Sequence, residues 1–247
     1  MNMSAMLTHT KMEIKLFFRE ILFVFFTFLL PAVSFIFFGT MFGDETYNGY
    51  NYIDTYIPAM VSIVMFTTGF FTIGLQVVID REKGIYKRLR GTPLNSSYVF
   101  AAIITKGFFC ILVGTVEIIL IAKYMFDATI TGSMLQFILS MILCALSFFA
   151  MGFLIASIAK RMQTAMAISM VAMYPMMFLS GSTMPLDKMP EIMQTISKFI
   201  PMTYVKDLLQ LGWVGKLFTE AAVTPALVLV GIFLVGTFIG IKKFKWD

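Results

Sequence analysis

The stretch ILFVFFTFLLPAVSFIFFGTMFG, residues 21–43, lies between Glu20 and Asp44 and carries no charged side chain. A helix rises about 1.5 Å per residue, so about 20 apolar residues cross the ~30 Å hydrocarbon core of a bilayer. This run is long enough to do so. It is too long for the apolar part of a signal peptide and has no small-residue cleavage site. Working outward from it, further spans are predicted at about residues 55–79, 99–122, 131–158, 163–184 and 221–241. Pro31, Pro58 and Pro175 fall within spans or at their ends, where neighbouring helices can re-satisfy the freed carbonyls. No repeat, linker or low-complexity stretch divides the chain, so residues 1–247 read as one domain. The expected fold class is all-α, a polytopic membrane protein with six transmembrane helices.

Composition agrees with a lipid solvent. Hydrophobic residues make up 59% of the chain and charged residues only 13%, against about 25% charged in soluble domains. In water such a chain would expose large apolar patches. The net charge of +5 does not indicate nucleic acid, because the basic residues sit in the connections between apolar runs. Lys11, Lys15 and Arg19 precede the first run. Arg81, Lys83, Lys87, Arg88 and Arg90 follow the second, Lys160 and Arg161 the fourth, and Lys242, Lys243 and Lys245 the sixth. The intervening connections are acidic or balanced. The positive-inside rule then places the basic connections and both termini in the cytoplasm. The expected location is the plasma membrane.

Several chemistries are excluded. There is no G-x-x-x-x-G-K-[ST] loop to cradle ATP. His9 is the one histidine, in a short polar head, so a Ser–His hydrolase is not expected. Cys110 and Cys144 lie inside apolar runs, show no metal-ligand spacing and read as buried thiols. No cofactor is expected on this chain. Ionisable groups inside a span are costly and often functional, and the third span holds two, Lys106 and Glu117. Lys106, about two turns from the cytoplasmic end, is expected to snorkel to the surface. For Glu117 three roles stay open: a pair with Lys123, a polar cavity, or contact with substrate. Phe28 and Phe35 of the Phe-rich first span are candidates, with Glu117, for a path taken by an amphiphile. The other reading of these rings is lipid-facing filler. Gly236 and Gly240 form a small-xxx-small pair that would let helices approach closely.

The most informative connection is DREKGIYKRLRGTPL, residues 80–94. Ile85 and Leu89 stand four apart on one helical face, with Lys83, Lys87 and Arg90 on another. A short amphipathic helix is predicted, stopped by Gly91 and Pro93. Glu82 is placed at its start, where the positive helix end favours a carboxylate. Such a segment either anchors anionic headgroups or docks a protein partner, and physics alone leaves both open.

Arg81-Glu82-Lys83-Gly84, then Leu89, Thr92-Pro93-Leu94 and Lys106, resemble the signature of ABC-2 type permeases. A second match follows the fifth span: Leu179-Ser180-Gly181, Pro185-Leu186, Met189-Pro190, Ile200-Pro201 and Thr203-Tyr204. Met189 stands where leucine is usual, and Ile200 where asparagine is frequent. Neither departure introduces a charge. The resemblance covers essentially the whole chain and implies a type V exporter-like fold. It further implies a membrane subunit that pairs with a second permease copy or homologue. Each copy would sit on a separate ATP-binding cassette subunit, which holds ATP and Mg. The segment containing Arg81, Glu82, Lys83, Gly84, Leu89, Thr92 and Pro93 would be the coupling helix that docks the ATPase. Residues 11–19 would form an amphipathic helix along the inner face. Residues 190–211 would form re-entrant external helices, with Ser180, Gly181, Pro185, Pro190, Pro201 and Tyr204 as the external motif. The implied function is ATP-driven export of a small amphiphile. The alternatives are a free-standing secondary transporter and an antibiotic-sensing membrane scaffold.

Overall fold

The computed structural model describes residues 3–43, 46–47, 50–90, 96–128, 132–183, 186 and 189–243. In chain order the helices are α1 (Met3–Phe17), α2 (Ile21–Phe42), α3 (Tyr52–Glu82), α4 (Ile85–Arg90), α5 (Ser96–Met125), α6 (Met134–Ile158), α7 (Met162–Leu179), α8 (Glu191–Ser197), α9 (Pro201–Trp213) and α10 (Glu220–Lys243). Before α3, a hairpin pairs Thr46–Tyr47 with Tyr50–Asn51. Helices α2, α3, α5, α6, α7 and α10 are long and apolar enough to cross a membrane. The all-α expectation with six spans therefore holds.

Helix α3 is the axis of the bundle. Its most apolar window is 89% buried, against 22% for those of α7 and α10. In lipid no hydrophobic force drives helices together, so close packing of small residues must do it. Helices α3 and α6 meet through glycine. A Cβ on Gly69 would lie 2.7 Å from the Phe148 carbonyl oxygen, and one on Gly74 would lie 2.9 Å from that of Gly152. A Cβ on Gly152 would collide with the Gly69 carbonyl. Helix α10 lies against α6 in a related way. Gly236 faces Ala150, and the Ser147 and Ser157 hydroxyls reach the Leu229 and Gly240 carbonyls at 3.0 and 3.2 Å.

Two stretches widen to π-helix, Phe25–Leu29 in α2 and Thr68–Leu75 in α3. The first lies just ahead of Pro31, whose nitrogen cannot donate to the Thr27 carbonyl. The two stretches touch: the Thr27 and Thr72 hydroxyls are 3.2 Å apart, and the Phe26 and Phe71 rings stack at 5.0 Å. π-Helical turns inside α-helices occur frequently at functional sites.

Helix α1 packs on α5, and α9 fits between α3, α6 and α10. The buried face of α9 is Met202, Val205, Leu208, Leu209 and Trp213. Helix α7 stops at Leu179, and Ser180 and Gly181 turn the chain.

Candidate functional site

The basic connection after α3 is not one continuous amphipathic helix. Helix α3 continues through Asp80, Arg81 and Glu82. It closes when the Lys83 and Gly84 amides bond the Ile79 and Arg81 carbonyls, each at 2.9 Å. Gly84 has φ +68°, the left-handed conformation that ends helices and favours glycine. Helix α4 starts only after it. Glu82 is therefore at the end of α3 and not at the start of the amphipathic helix, which corrects the expectation above. A glycine between two basic clusters is the signal that marks the true break.

The positions of Arg81 and Glu82 explain their charges. The Arg81 guanidinium donates to the Ala156 carbonyl at 2.9 Å and to the Ala159 carbonyl, at the carboxyl end of α6. The Glu82 carboxylate accepts from the Met162 amide at 2.9 Å, at the amino end of α7. Helix ends leave carbonyls and amides unpaired, with negative charge at the carboxyl end and positive charge at the amino end. The cation caps one and the anion the other. Adjacent side chains of α3 thus bracket the α6–α7 connection. Beside the bracket lies a cavity of about 580 Å³, lined by Ile79, Glu82, Lys83, Arg161, Met162 and Gln163. Lys83, Lys87 and Arg88 are exposed around it.

Behind α4 lies a buried polar group that sequence reasoning missed. Lys106 does not snorkel. It is buried and forms an ion pair with Glu13 of α1 at 2.7 Å. The stem is held by α1 packing on α5, so the ammonium finds a carboxylate before it reaches water. Asp80, also buried, accepts from the Gln76 amide at 2.8 Å. Tyr86 is buried, alone among the described side chains of α4. Its burial, with the Asp80 and Glu13 carboxylates nearby, holds its phenol above the ordinary value, so it stays protonated. An aromatic residue amid five bases was the available clue. The side chain of Leu89, and Thr92 and Pro93 entirely, lie outside the described residues.

At the opposite end, the second motif forms a joint. Gly181 has φ +79°. A Cβ there would lie 2.7 Å from Leu186 and 3.0 Å from the Lys206 ammonium. The Ser180 hydroxyl donates to that of Ser182 at 2.8 Å, and Ser182 lies 3.2 Å from the Ser62 hydroxyl of α3. Pro190 precedes α8, and Pro201 is the first residue of α9, where its missing amide costs nothing. Thr203 donates to the Ser197 carbonyl at 2.8 Å and Tyr204 to that of Lys198 at 2.6 Å. These hydroxyls satisfy the last carbonyls of α8 and fix its angle to α9. Pro185 lies outside the described residues.

The proposed path residues do not converge. Phe35 is fully buried, stacked on Tyr56 at 5.4 Å and edge-on to Phe126 at 5.7 Å. Phe28 is buried against Phe17 and Phe18 of the α1 end. Both are packing groups between helices. Glu117 is half-buried and makes no ion pair with Lys123 or any other base among the described residues.

The comparisons bear on this arrangement. Residues 5–214 match the family model described as ABC-2 type transporter. The chain is 25% identical over 193 residues to "Probable multidrug ABC transporter permease YbhS" of Escherichia coli K12, covering 76% of this chain and 50% of that protein. To its counterpart YbhR it is 25% identical over 155 residues, 62% of this chain and 41% of that one. To a transport permease of Bacillus subtilis strain 168, YvfS, it is 27% identical over 197 residues, 76% and 77% of the two chains. The chain spans about half the length of the Escherichia coli relatives. The match takes in α1, the bracket at Arg81 and Glu82, the Lys106 ion pair and the α8–α9 joint, and the chain belongs to the ABC-2 type transporter family.

Proposed function

We propose that this chain is the membrane subunit of an ATP-driven exporter and moves a small amphiphile outward. ATP and Mg would be held by a separate ATP-binding cassette subunit. The observation that carries this reading is the bracket. Helix α4, with Lys87 and Arg88 exposed and Lys83 exposed just ahead of it, follows α3 beside the side chains that cap α6 and α7. A partner that pushes on α4 therefore acts on three spans together. ATP shifts the equilibrium only if it binds one state better, and closure of two cassettes around nucleotide supplies that difference. In this reading the basic end faces the cytoplasm, and the chain works as a pair with a second copy or homologue. Its outward apolar faces on α2, α7 and α10 support an assembly. The substrate class rests on the Escherichia coli relatives, which are named as multidrug transporter permeases.

The test is reconstitution. The purified chain should hydrolyse no ATP. Combined with a cassette ATPase that co-purifies with it, it should show hydrolysis stimulated by membrane-active compounds and export of a fluorescent amphiphile from vesicles. Export that persists without any ATPase, driven by an ion gradient, would overturn the proposal.

A further inference from the structure

Between α5, α6 and α10, at their basic ends, lies a cavity of about 450 Å³. It is walled by Phe100 and Ile104 of α5, Phe149 and Phe153 of α6, and Phe233 and Ile241 of α10. Two hydroxyls border it, those of Ser157 and Thr237. The Ser157 hydroxyl already lies 2.8 Å from the Phe153 carbonyl and 3.2 Å from that of Gly240. A polar ligand placed here would lose its hydration and gain almost nothing in return. Hydrocarbon suits these walls.

The helix ends next to the cavity have the opposite character. Lys160 and Arg161 follow the end of α6, and Lys242 and Lys243 close α10 just beyond Gly240. All four are exposed. Among the described residues none of them has a carboxylate within ion-pair distance. Lys242 lies 4.3 Å from the centroid of the exposed Phe238 ring, a contact that leaves its charge uncompensated. Cations at the same end as an apolar slot call for one molecule with a hydrocarbon chain and an anionic head.

We propose that this cavity is a binding site for an anionic phospholipid, with one acyl chain in the slot and the phosphate on Lys160, Arg161, Lys242 and Lys243. A zwitterionic lipid would fill the slot but bring its own cation beside its phosphate, so its head carries no net charge to balance the four. A soluble anion would match the cations and leave the slot open. Arg161 also lines the cavity beside the bracket, but the slot itself lies apart from α4, and lipid retention is read on the purified chain without ATP or transport. Its test is therefore independent of the transport reading.

Native mass spectrometry of the purified chain, with phosphatidylglycerol and phosphatidylcholine of equal chain length in competition, decides the matter. The wild-type chain should retain phosphatidylglycerol with at least about fivefold preference, since each basic residue near a membrane surface contributes about that factor toward an anionic head. Neutralising all four cations to Gln should keep lipid but abolish the preference. Gly240→Leu should lose the retained lipid. The nearest atoms to a Cβ there are Phe153 Cβ at 3.9 Å and Ser157 Oγ at 4.0 Å, so a larger side chain enters the slot without striking backbone. Thr237→Leu serves the same purpose should Gly240→Leu fail to fold. Equal retention of both lipids by the wild-type chain would overturn the proposal, as would undiminished phosphatidylglycerol in the filled variants. A change of oligomeric state in the filled variants would also overturn it, because it would make the slot a subunit contact. So would displacement of the lipid by a neutral apolar dye with no headgroup preference.

Discussion

Two charges 2.7 Å apart with little water around them make the ion pair of Lys106 and Glu13 a sensitive point. Each ion loses hydration, and their attraction returns most of that loss only while both are present. Removing one partner typically costs about 3–5 kcal/mol, whereas replacing both by apolar groups is often close to neutral. Lys106→Met and Glu13→Leu are therefore each expected to lower the thermal midpoint in detergent sharply, and the double variant to recover most of the loss. Additive losses in the double variant would show that the two do not act as a pair. A similar argument reshapes expectations for Glu82. Its acid stood out in a basic stretch, but its partner is 80 residues away in sequence, and no local pattern reveals that. Gln keeps an oxygen for the Met162 amide and gives up only the charge at the positive end of α7, so Glu82→Gln should cost about 0.3–1 kcal/mol at most, and transport should persist. Glu82→Arg removes the acceptor and sets a cation against the positive end of α7, a loss of about 1–2 kcal/mol before any partner is considered. If Glu82→Gln abolishes coupled ATP hydrolysis while leaving the thermal midpoint unchanged, the carboxylate belongs to the ATPase interface and not to the bracket.

At the scale of elements, the spans were legible because a bilayer demands about 20 apolar residues and tolerates few charges. How they cross was not. Nothing in hydropathy distinguishes Gly152 of α6, pressed against the Gly69 carbonyl of α3, from Gly231, which faces open space. The π-helical turns were equally hidden, since they depend on Pro31 and on threonines that meet only in three dimensions. In the outer joint, the residue types of the second motif could be read, but not the work of Thr203 and Tyr204 as caps on α8, because that requires α9 to fold back on it. The glycine contrast yields a direct prediction. Gly152→Ala drives a methyl into backbone that cannot yield, and overpacking typically costs about 1–3 kcal/mol. Gly231→Ala meets no neighbour within 4 Å and should gain up to about 1 kcal/mol of helix propensity. Unfolding in graded denaturing detergent should separate the two variants in opposite directions. A Gly152→Ala chain as stable as wild type would mean that α3 and α6 do not cross at this point.

For the whole molecule, membership of the family and the count of spans leave one global choice, which end faces the cytoplasm. The structure makes that choice collective. Arg81 and Glu82 tie the end of α3 to the α6–α7 connection, and Lys106 ties α5 to α1. Lys83, Lys87, Lys160, Arg161, Lys242 and Lys243 therefore share one end, and no single connection can be inverted without breaking buried contacts. The opposite end carries α8, with Glu191 exposed in its first turn. A cassette ATPase acts from the cytoplasm, so orientation and coupling stand or fall together. The chain suits the measurement, since its two native cysteines, Cys110 and Cys144, are both buried and should give no background with an impermeant thiol reagent. In intact cells Glu191→Cys should label and Lys87→Cys should not. After permeabilisation Lys87→Cys, exposed on α4, should label as readily as Glu191→Cys. The reverse pattern would put the basic end outside, against the positive-inside bias, and would remove α4 from reach of any cytoplasmic ATPase.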